Sequence, residues 1–365
     1  MTDTSQDRPQ ASSGPAFKFS ELFSMFRRPE VGAFAGLLII FVFFSIFGWD
    51  RNFLSPLGAA SWLNFASTVG IIAIPVGFLM IAGELDISVG AMVPASKIAL
   101  AIAVGYFGLN IWVGILITLA IAGGIGWING MLVTRTNVPS LIVTLATLFA
   151  VGGLTLFLSI LITDTTQLGL PDSSTDAVSE FMFGTYHTFR IGSGEASITL
   201  WQGLQSSVFI WFFIVGACYF FLHISPWGNW VFALGGDQES ARNAGIPITS
   251  LKIALFMMTA VAASLVGISE TVLSNSASTT TQFTMIFNTI IAVVVGGVLL
   301  TGGFGNVLGV AFGTATLAIV QQGINFTSFD RNLSNLIIGV MLLIAVLMND
   351  TFRNMATSWS TSKKK

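Results

Sequence analysis

Ten apolar runs separated by polar stretches organise this chain, at roughly 31–47, 59–82, 88–107, 110–133, 139–162, 206–223, 251–273, 284–301, 305–323 and 333–349. Each has 17 residues or more, enough to cross a ~30 Å hydrocarbon core at ~1.5 Å per residue. The runs are continuously apolar, as in membrane helices, whereas the strands of a β-barrel alternate apolar and polar positions. They predict an all-α, polytopic membrane protein of about ten transmembrane helices. The first run follows Arg27-Arg28 and is succeeded by Gly48-Trp-Asp-Arg-Asn-Phe53, which holds no small-x-small cleavage site, so it reads as an uncleaved first span. Pro75 and Pro94 fall inside the second and third runs and are expected to kink or break them. Pro139 suits the first turn of the fifth, where its missing N–H costs little.

The polar stretches set the remaining layout. Residues 1–30 read as a disordered cytoplasmic tail, 31–350 as the membrane domain and 351–365 as a second cytoplasmic tail. Two connections are longer than the others. One, at about 163–205, carries Asp164, Asp172, Asp176, Glu180 and Glu195; the other spans about 224–250. With both termini in the cytoplasm, that side holds Arg8, Lys18, Arg27, Arg28, Arg135, Arg242, Lys252, Arg353 and Lys363 to Lys365, eleven against Arg51, Arg190 and Arg331 outside. This imbalance sets the orientation. The spans divide as one plus four, twice, which suggests two pseudo-symmetric halves, spans 2–5 against spans 7–10, as inverted repeats. Gly123-Gly-Ile-Gly-Trp-Ile-Asn-Gly130 and Gly302-Gly-Phe-Gly-Asn-Val-Leu-Gly309 share one glycine pattern, a faint echo of such a duplication.

Composition removes whole classes of function. Of 365 residues 53% are hydrophobic and 9% charged, with mean hydropathy +0.82; a soluble domain carries about 25% charged residues. A soluble enzyme is excluded. The single Cys218 lies in an apolar run, so disulfides contribute nothing. A net charge of −2 gives no sign of nucleic-acid binding. There is no Gly-x-x-x-x-Gly-Lys-[Ser/Thr] phosphate loop. No His, Cys or carboxylate cluster has metal spacing, and His187 and His223 fall on opposite sides of the membrane. The chain is expected to have no catalytic residue, metal or cofactor of its own.

Charge in the wrong place is then the informative signal. Ala233-Leu-Gly-Gly-Asp-Gln-Glu-Ser-Ala-Arg-Asn-Ala-Gly-Ile246 is a polar island between apolar runs. Its helix-forming core, Glu239 to Ala244, precedes Gly245, a residue suited to closing a helix. That predicts a rigid knob on the cytoplasmic surface. Glu84 and Asp86 stand at the junction of spans 2 and 3, and Lys97 lies three turns into span 3. Ionisable groups at that depth mark pathways by default; Asp86 reads equally as the N-cap of span 3, and Glu84 as a partner for Lys97 or part of a hydrated path. Glu270 reads as interfacial. Asn129, Asn288, Gln321 and Gln322 are polar residues in or near spans, suited to a pathway or to interhelical bonds. Gly305, Gly309 and Gly313 recur at i, i+4, i+8, a small-residue stripe for close helix packing.

Four stretches in order resemble one family. They are Gly83-Glu-Leu-Asp-Ile-Ser-Val-Gly90; Asn129-Gly-Met-Leu-Val-Thr-Arg135 with Pro139-Ser-Leu-Ile-Val-Thr-Leu-Ala-Thr-Leu148; the 233–246 island; and Ala292-Val-Val-Val-Gly-Gly-Val-Leu-Leu-Thr-Gly-Gly-Phe-Gly305. From about Trp62 to Asp350 the chain is similar to the membrane-spanning permease subunits of ribose/xylose-type ATP-binding-cassette (ABC) sugar importers. It departs from their pattern at Glu84, where the family commonly has glycine, and at Ser240, where it has alanine. The resemblance implies a multi-pass permease of the bacterial inner membrane that works with a second permease copy, as a homodimer or a heterodimer. It implies a cytoplasmic ABC ATPase holding ATP and Mg, and a periplasmic sugar-binding protein. It places Gly235, Gly236, Glu239, Ala241, Arg242 and Gly245 in the ATPase-coupling loop, with Glu239 and Arg242 making polar contacts. The acidic 164–195 loop then reads either as a docking surface for the binding protein or as a plain solvated loop. The competing reading is a proton- or sodium-coupled secondary transporter using Glu84, Asp86 and Lys97 as a relay.

Overall fold

The computed structural model describes residues 29–171, 174–191 and 198–362. The expected N-terminal tail up to residue 28 with Arg8, Lys18, Arg27 and Arg28, the loop acids Asp172 and Glu195, and Lys363 to Lys365 lie outside them. Among the described residues, eight helices are long and apolar enough to cross a membrane, and two shorter apolar helices, Phe283–Val295 and Leu333–Leu347, complete the ten expected runs.

The helices are α1 (Pro29–Phe47), α2 (Pro56–Ile81), α3 (Val89–Leu100), α4 (Ile111–Arg135), α5 (Ser140–Thr163), α6 (Ser206–Tyr219), α7 (Pro226–Gly236), α8 (Gln238–Asn243), α9 (Ile248–Ser274), α10 (Phe283–Val295), α11 (Val307–Gly323) and α12 (Leu333–Ser362). Local chemistry fixes several boundaries. The side chains of Ser55, Asn110 and Asn306 accept the amides of Gly58, Trp112 and Leu308 at the starts of α2, α4 and α11, satisfying donors that a helix start leaves free. Left-handed Asp164 and Asn275 close α5 and α9. Pro75 and Pro94 sit inside α2 and α3 without interrupting either helix, although α3 passes into a π-helical stretch at Ala101–Tyr106. Pro139 immediately precedes α5 and does not occupy its first turn. The expected C-terminal tail is helical, since α12 continues to Ser362.

Two expectations change. The 284–301 run ends as a helix at Val295, because Gly297 takes φ +85° and turns the chain. At 13 residues α10 is only about 20 Å long. The described residues of the 163–205 connection carry strands: β2 (Tyr186–Ile191) and β3 (Ile198–Gln205) form an antiparallel pair, and β1 (Gln167–Gly169) pairs with β4 (Ser276–Ser278) beyond α9. We term this the hairpin end of the bundle and the opposite one the knob end.

The expected halves appear in the packing. α4 lies on α9 as α2 lies on α11, α3 lies on α9 as α10 lies on α2, and α3 meets α5 as α10 meets α12. Each half therefore has one long helix, a connection beginning at a left-handed residue (Gly83 or Asn275), and a short helix. The starts of the two short helices touch: the Gln282 amide donates to the Gly90 carbonyl over 3.0 Å. The glycine echo does not belong to this duplication. Gly123 to Gly130 lie inside α4, whereas Gly302 and Gly303 sit in the left-handed loop before α11, and both stretches fall toward the knob end, where inverted repeats require opposite ends.

Glycines allow the closest approaches. A Cβ at Gly309 or Gly313 would strike the carbonyl oxygens of Gly296 and Ala292 on the α10 side, and one at Gly126 would lie 2.6 Å from the Met257 Cα of α9. Gly305, the first residue of the expected stripe, precedes α11 and packs on Ile81 and Val298. Gly313→Ala is expected to cost about 1–3 kcal/mol of stability, since backbone atoms cannot yield. Gly124→Ala, where a Cβ meets nothing within 4 Å, should be neutral or mildly stabilising. Thermal unfolding of the two variants in one detergent reads the difference; equal midpoints would contradict it.

Candidate functional site

At the knob end, α8 is short but tightly defined. The Asp237 carboxylate accepts the Ser240 amide at 2.6 Å, and that bond holds its pKa below the ordinary carboxylate range. At the other terminus Gly245 takes φ +81°, its amide bonds to the Arg242 carbonyl, and the Ile246 amide bonds to that of Ala241. This is a Schellman closure, which needs a residue tolerant of the left-handed region. The helix starts one residue earlier than expected, at Gln238. Ala241 is buried and seats the helix, while Glu239 and Arg242 are exposed and have no hydrogen bond or ion pair among the described residues. A partner can therefore reach both charges.

Gly235 anchors the knob to the bundle. Its Cα packs so closely that a Cβ would collide with the Ile81 carbonyl at the end of α2, and with the Gly303 amide at 2.5 Å. That amide itself donates to Ile81 O at 2.7 Å. Gly83, Gly302 and Gly303 all adopt positive φ, so three chain segments meet there through backbone alone. Gly236 is the last residue of α7 and a Cβ on it would meet nothing within 4 Å.

The 82–88 connection runs from this junction into the bundle. Glu84 pairs with Lys252 of α9, Nζ to Oε1 2.5 Å, and not with Lys97. The same ammonium reaches Gln238 Oε1 at 2.8 Å. Lys97 instead pairs with Glu270, 2.9 Å away, because α3 carries it toward the hairpin end; Glu270 is thereby an ion-pair partner and more than an interfacial acid. Asp86 is fully enclosed. Its Oδ1 accepts the amide and hydroxyl of Ser88, and its Oδ2 accepts the Thr259 hydroxyl at 2.5 Å. Ser88 is the N-cap residue of α3, so Asp86 orders the turn before the helix and is not its cap. Asn129 donates to Ser88 Oγ and accepts from Thr147, while Ser140 and Thr144 take the amides of Leu85 and Ile87. Thr259 is near the middle of α9, so the connection re-enters the bundle well below the knob. Irregular backbone at that depth is tolerated because its polar groups are satisfied by surrounding protein.

A cavity of about 750 Å³ opens on the hairpin end. Ser61, Asn64, Thr68, Gln205 and Gln322 supply neutral hydrogen-bonding groups to its wall, and Glu270 the one charged group. Asn288 lines it, is 8% exposed, and has no hydrogen-bond partner among the described residues. Asn64 is held by the backbone of Gly203 and Gln205. Of the expected pathway residues, Asn288 and Gln322 line this cavity, and Lys97 reaches it through Glu270. Glu84, Asp86 and Asn129 form the network beneath the knob. Sequence reasoning missed Lys252, Gln238 and Thr259; the signal for Lys252 was a lysine at the very start of the 251–273 apolar run, with an acid at position 84 lacking a local partner. Among the described residues, no three His, Cys, Asp or Glu gather as a metal site.

No solved structure matches the chain. Curated relatives do. The chain is 29% identical to the ribose import permease protein RbsC of Bacillus subtilis over 321 residues, 88% of this chain and 92% of that protein. It is 29% identical to the L-arabinose ABC transporter permease protein AraH of Azospirillum brasilense over 349 residues, 95% and 94% of the two chains. It is 27% identical to the fructose import permease protein FrcC of Rhizobium meliloti over 306 residues, 84% and 81%. These are import permeases, transport components and not enzymes. With the family profile matched along residues 58–346, the chain belongs to the family described as branched-chain amino acid transport system / permease component.

Proposed function

We propose that this chain carries a monosaccharide or related sugar alcohol across the bacterial inner membrane, with its knob end in the cytoplasm. A separate ATPase subunit, holding ATP and Mg, engages the exposed face of α8, and a periplasmic sugar-binding protein delivers cargo at the hairpin end. A second permease copy completes the conduit. The observation that carries this reading is α8 itself, capped at both ends, rooted through Gly235, and presenting Glu239 and Arg242 free of internal partners. A transporter driven by its own ion relay needs no such handle. The names of the relatives favour a sugar, and the cavity's many neutral hydrogen-bonding groups, with the single carboxylate of Glu270, suit a polyhydroxylated cargo held by hydrogen bonds. In the hairpin-end loop, Asp176 is committed to the Ser179 amide and the Trp112 indole, which hold its pKa low, and Glu180 accepts from Thr175. Asp176 and Glu180 therefore serve the order of that loop first.

The test is accumulation. In proteoliposomes, the permease with its genomically neighbouring ATPase and binding protein should concentrate a radiolabelled sugar bound by that protein only when ATP is enclosed. Permease alone should accumulate none, with or without a proton or sodium gradient. Gradient-driven accumulation by the purified permease would overturn the reading.

A further inference from the structure

The buried cluster of Lys252, Glu84 and Gln238 joins three elements that otherwise have separate roles. Lys252 is 6% exposed, and its ammonium lies 2.5 Å from Glu84 Oε1 and 2.8 Å from Gln238 Oε1. Gln238 is the first residue of α8, and four residues, Ala244–Pro247, separate the end of α8 at Asn243 from the start of α9 at Ile248. Lys252 stands one turn into α9. It is therefore tied to α8 twice, by the chain through Ala244–Pro247 and by the Gln238 amide.

Glu84 is on the other side of the cluster. It heads the 82–88 connection, whose Asp86 and Ser88 set the start of α3, which in turn meets Gln282 beside the cavity. A lysine–carboxylate pair this well enclosed resists separation, because parting it leaves an uncompensated charge in a low-dielectric site. A displacement of α8 must then draw Glu84 with it. We propose that Lys252 is the positioning residue that transmits movement of α8, through its ion pair with Glu84, to the re-entrant 82–88 connection and so to the cavity. This rests on the reading of α8 as the ATPase handle.

The experiment compares substitutions in the complete importer in proteoliposomes, measuring assembly with the ATPase, ATP hydrolysis stimulated by loaded binding protein, and sugar imported per ATP consumed. Lys252→Met and Glu84→Gln singly should each lower sugar per ATP about ten-fold or more, within the range of coupling energies between linked sites. The neutral double variant removes both buried charges together, so it should assemble yet remain uncoupled. Exchanging the charges, Glu84→Lys with Lys252→Glu, should recover at least half of the coupling, because the Gln238 amide can turn its NH₂ toward a carboxylate at position 252. Wild-type import per ATP in the neutral double would show the pair to be packing alone and overturn the proposal; so would failure of both double variants to assemble. Glu239→Ala with Arg242→Ala keeps the two failures apart. If that variant imports and binds the ATPase normally, the handle reading falls, whatever the cluster does.

Discussion

Gly235→Ala should all but abolish transport, and through the backbone of α2 before any contact with a partner. A methyl group there has to occupy the position of the Ile81 carbonyl and approach the Gly303 amide. Inserting a methylene into a packed site costs about 1–3 kcal/mol when side chains can yield. Here the obstacles are main chain, so the upper end applies, and ~3 kcal/mol is more than a hundred-fold in a conformational equilibrium. The expected result is a lower thermal midpoint and loss of the Gly303–Ile81 bond, seen as faster amide exchange at Gly303. Gly236→Ala is the matched control, since its Cβ meets nothing; its midpoint should not fall. Gly245→Ala lies between them. It keeps its space but must hold φ near +81°, which costs an L-residue about 1–2 kcal/mol. The order Gly235, Gly245, Gly236 in loss of stability separates steric anchoring from helix closure, and any other order contradicts the geometry of the junction.

The knob was legible because its signals are local. Asp237, Gly245 and the polar run between them need no distant partner to be read as a capped helix. The ten apolar runs were legible for the same reason, hydropathy being a property of neighbours in sequence. What escaped depends on backbone dihedrals or on long-range pairing. The 284–301 run stays apolar through Gly296 and Gly297, so hydropathy carries it past the point where a left-handed glycine ends α10. Glu84 was offered Lys97 because 13 positions separate them, yet α3 rises away from that connection while Lys252, 168 positions distant, returns beside it. Lys252 itself counted only toward orientation. Pairing of this kind is set by which helix start lies beside which re-entrant turn, and the duplication that sets it left almost no trace in residue identities.

Asp86 separates the proposed mechanism from its competitor most sharply. Asp86→Ala removes the acceptor of the buried Ser88 amide, a loss of about 1–3 kcal/mol for a donor left without a partner. Thr259 suffers less, because its hydroxyl also donates to the Phe256 carbonyl at 2.9 Å. The turn before α3 should loosen, with a lower thermal midpoint and import falling in parallel. Asp86→Asn keeps one carbonyl oxygen for Ser88 and turns its NH₂ toward Thr259, whose oxygen can accept while its hydrogen goes to Phe256. Each bond made at Asp86 keeps a partner, one N–H of the new amide is left without one, and the ability to titrate is lost. Import by the Asp86→Asn protein should therefore stay within about five-fold of the parent, the factor that ~1 kcal/mol represents. A proton relay through Asp86 requires the opposite, a folded protein with no transport. Initial uptake rates of the two variants, measured in the reconstituted importer at saturating ATP beside their thermal midpoints, decide the matter: import must track stability through Ala and Asn alike, and an intact but inactive Asn variant would place proton transfer back in the mechanism.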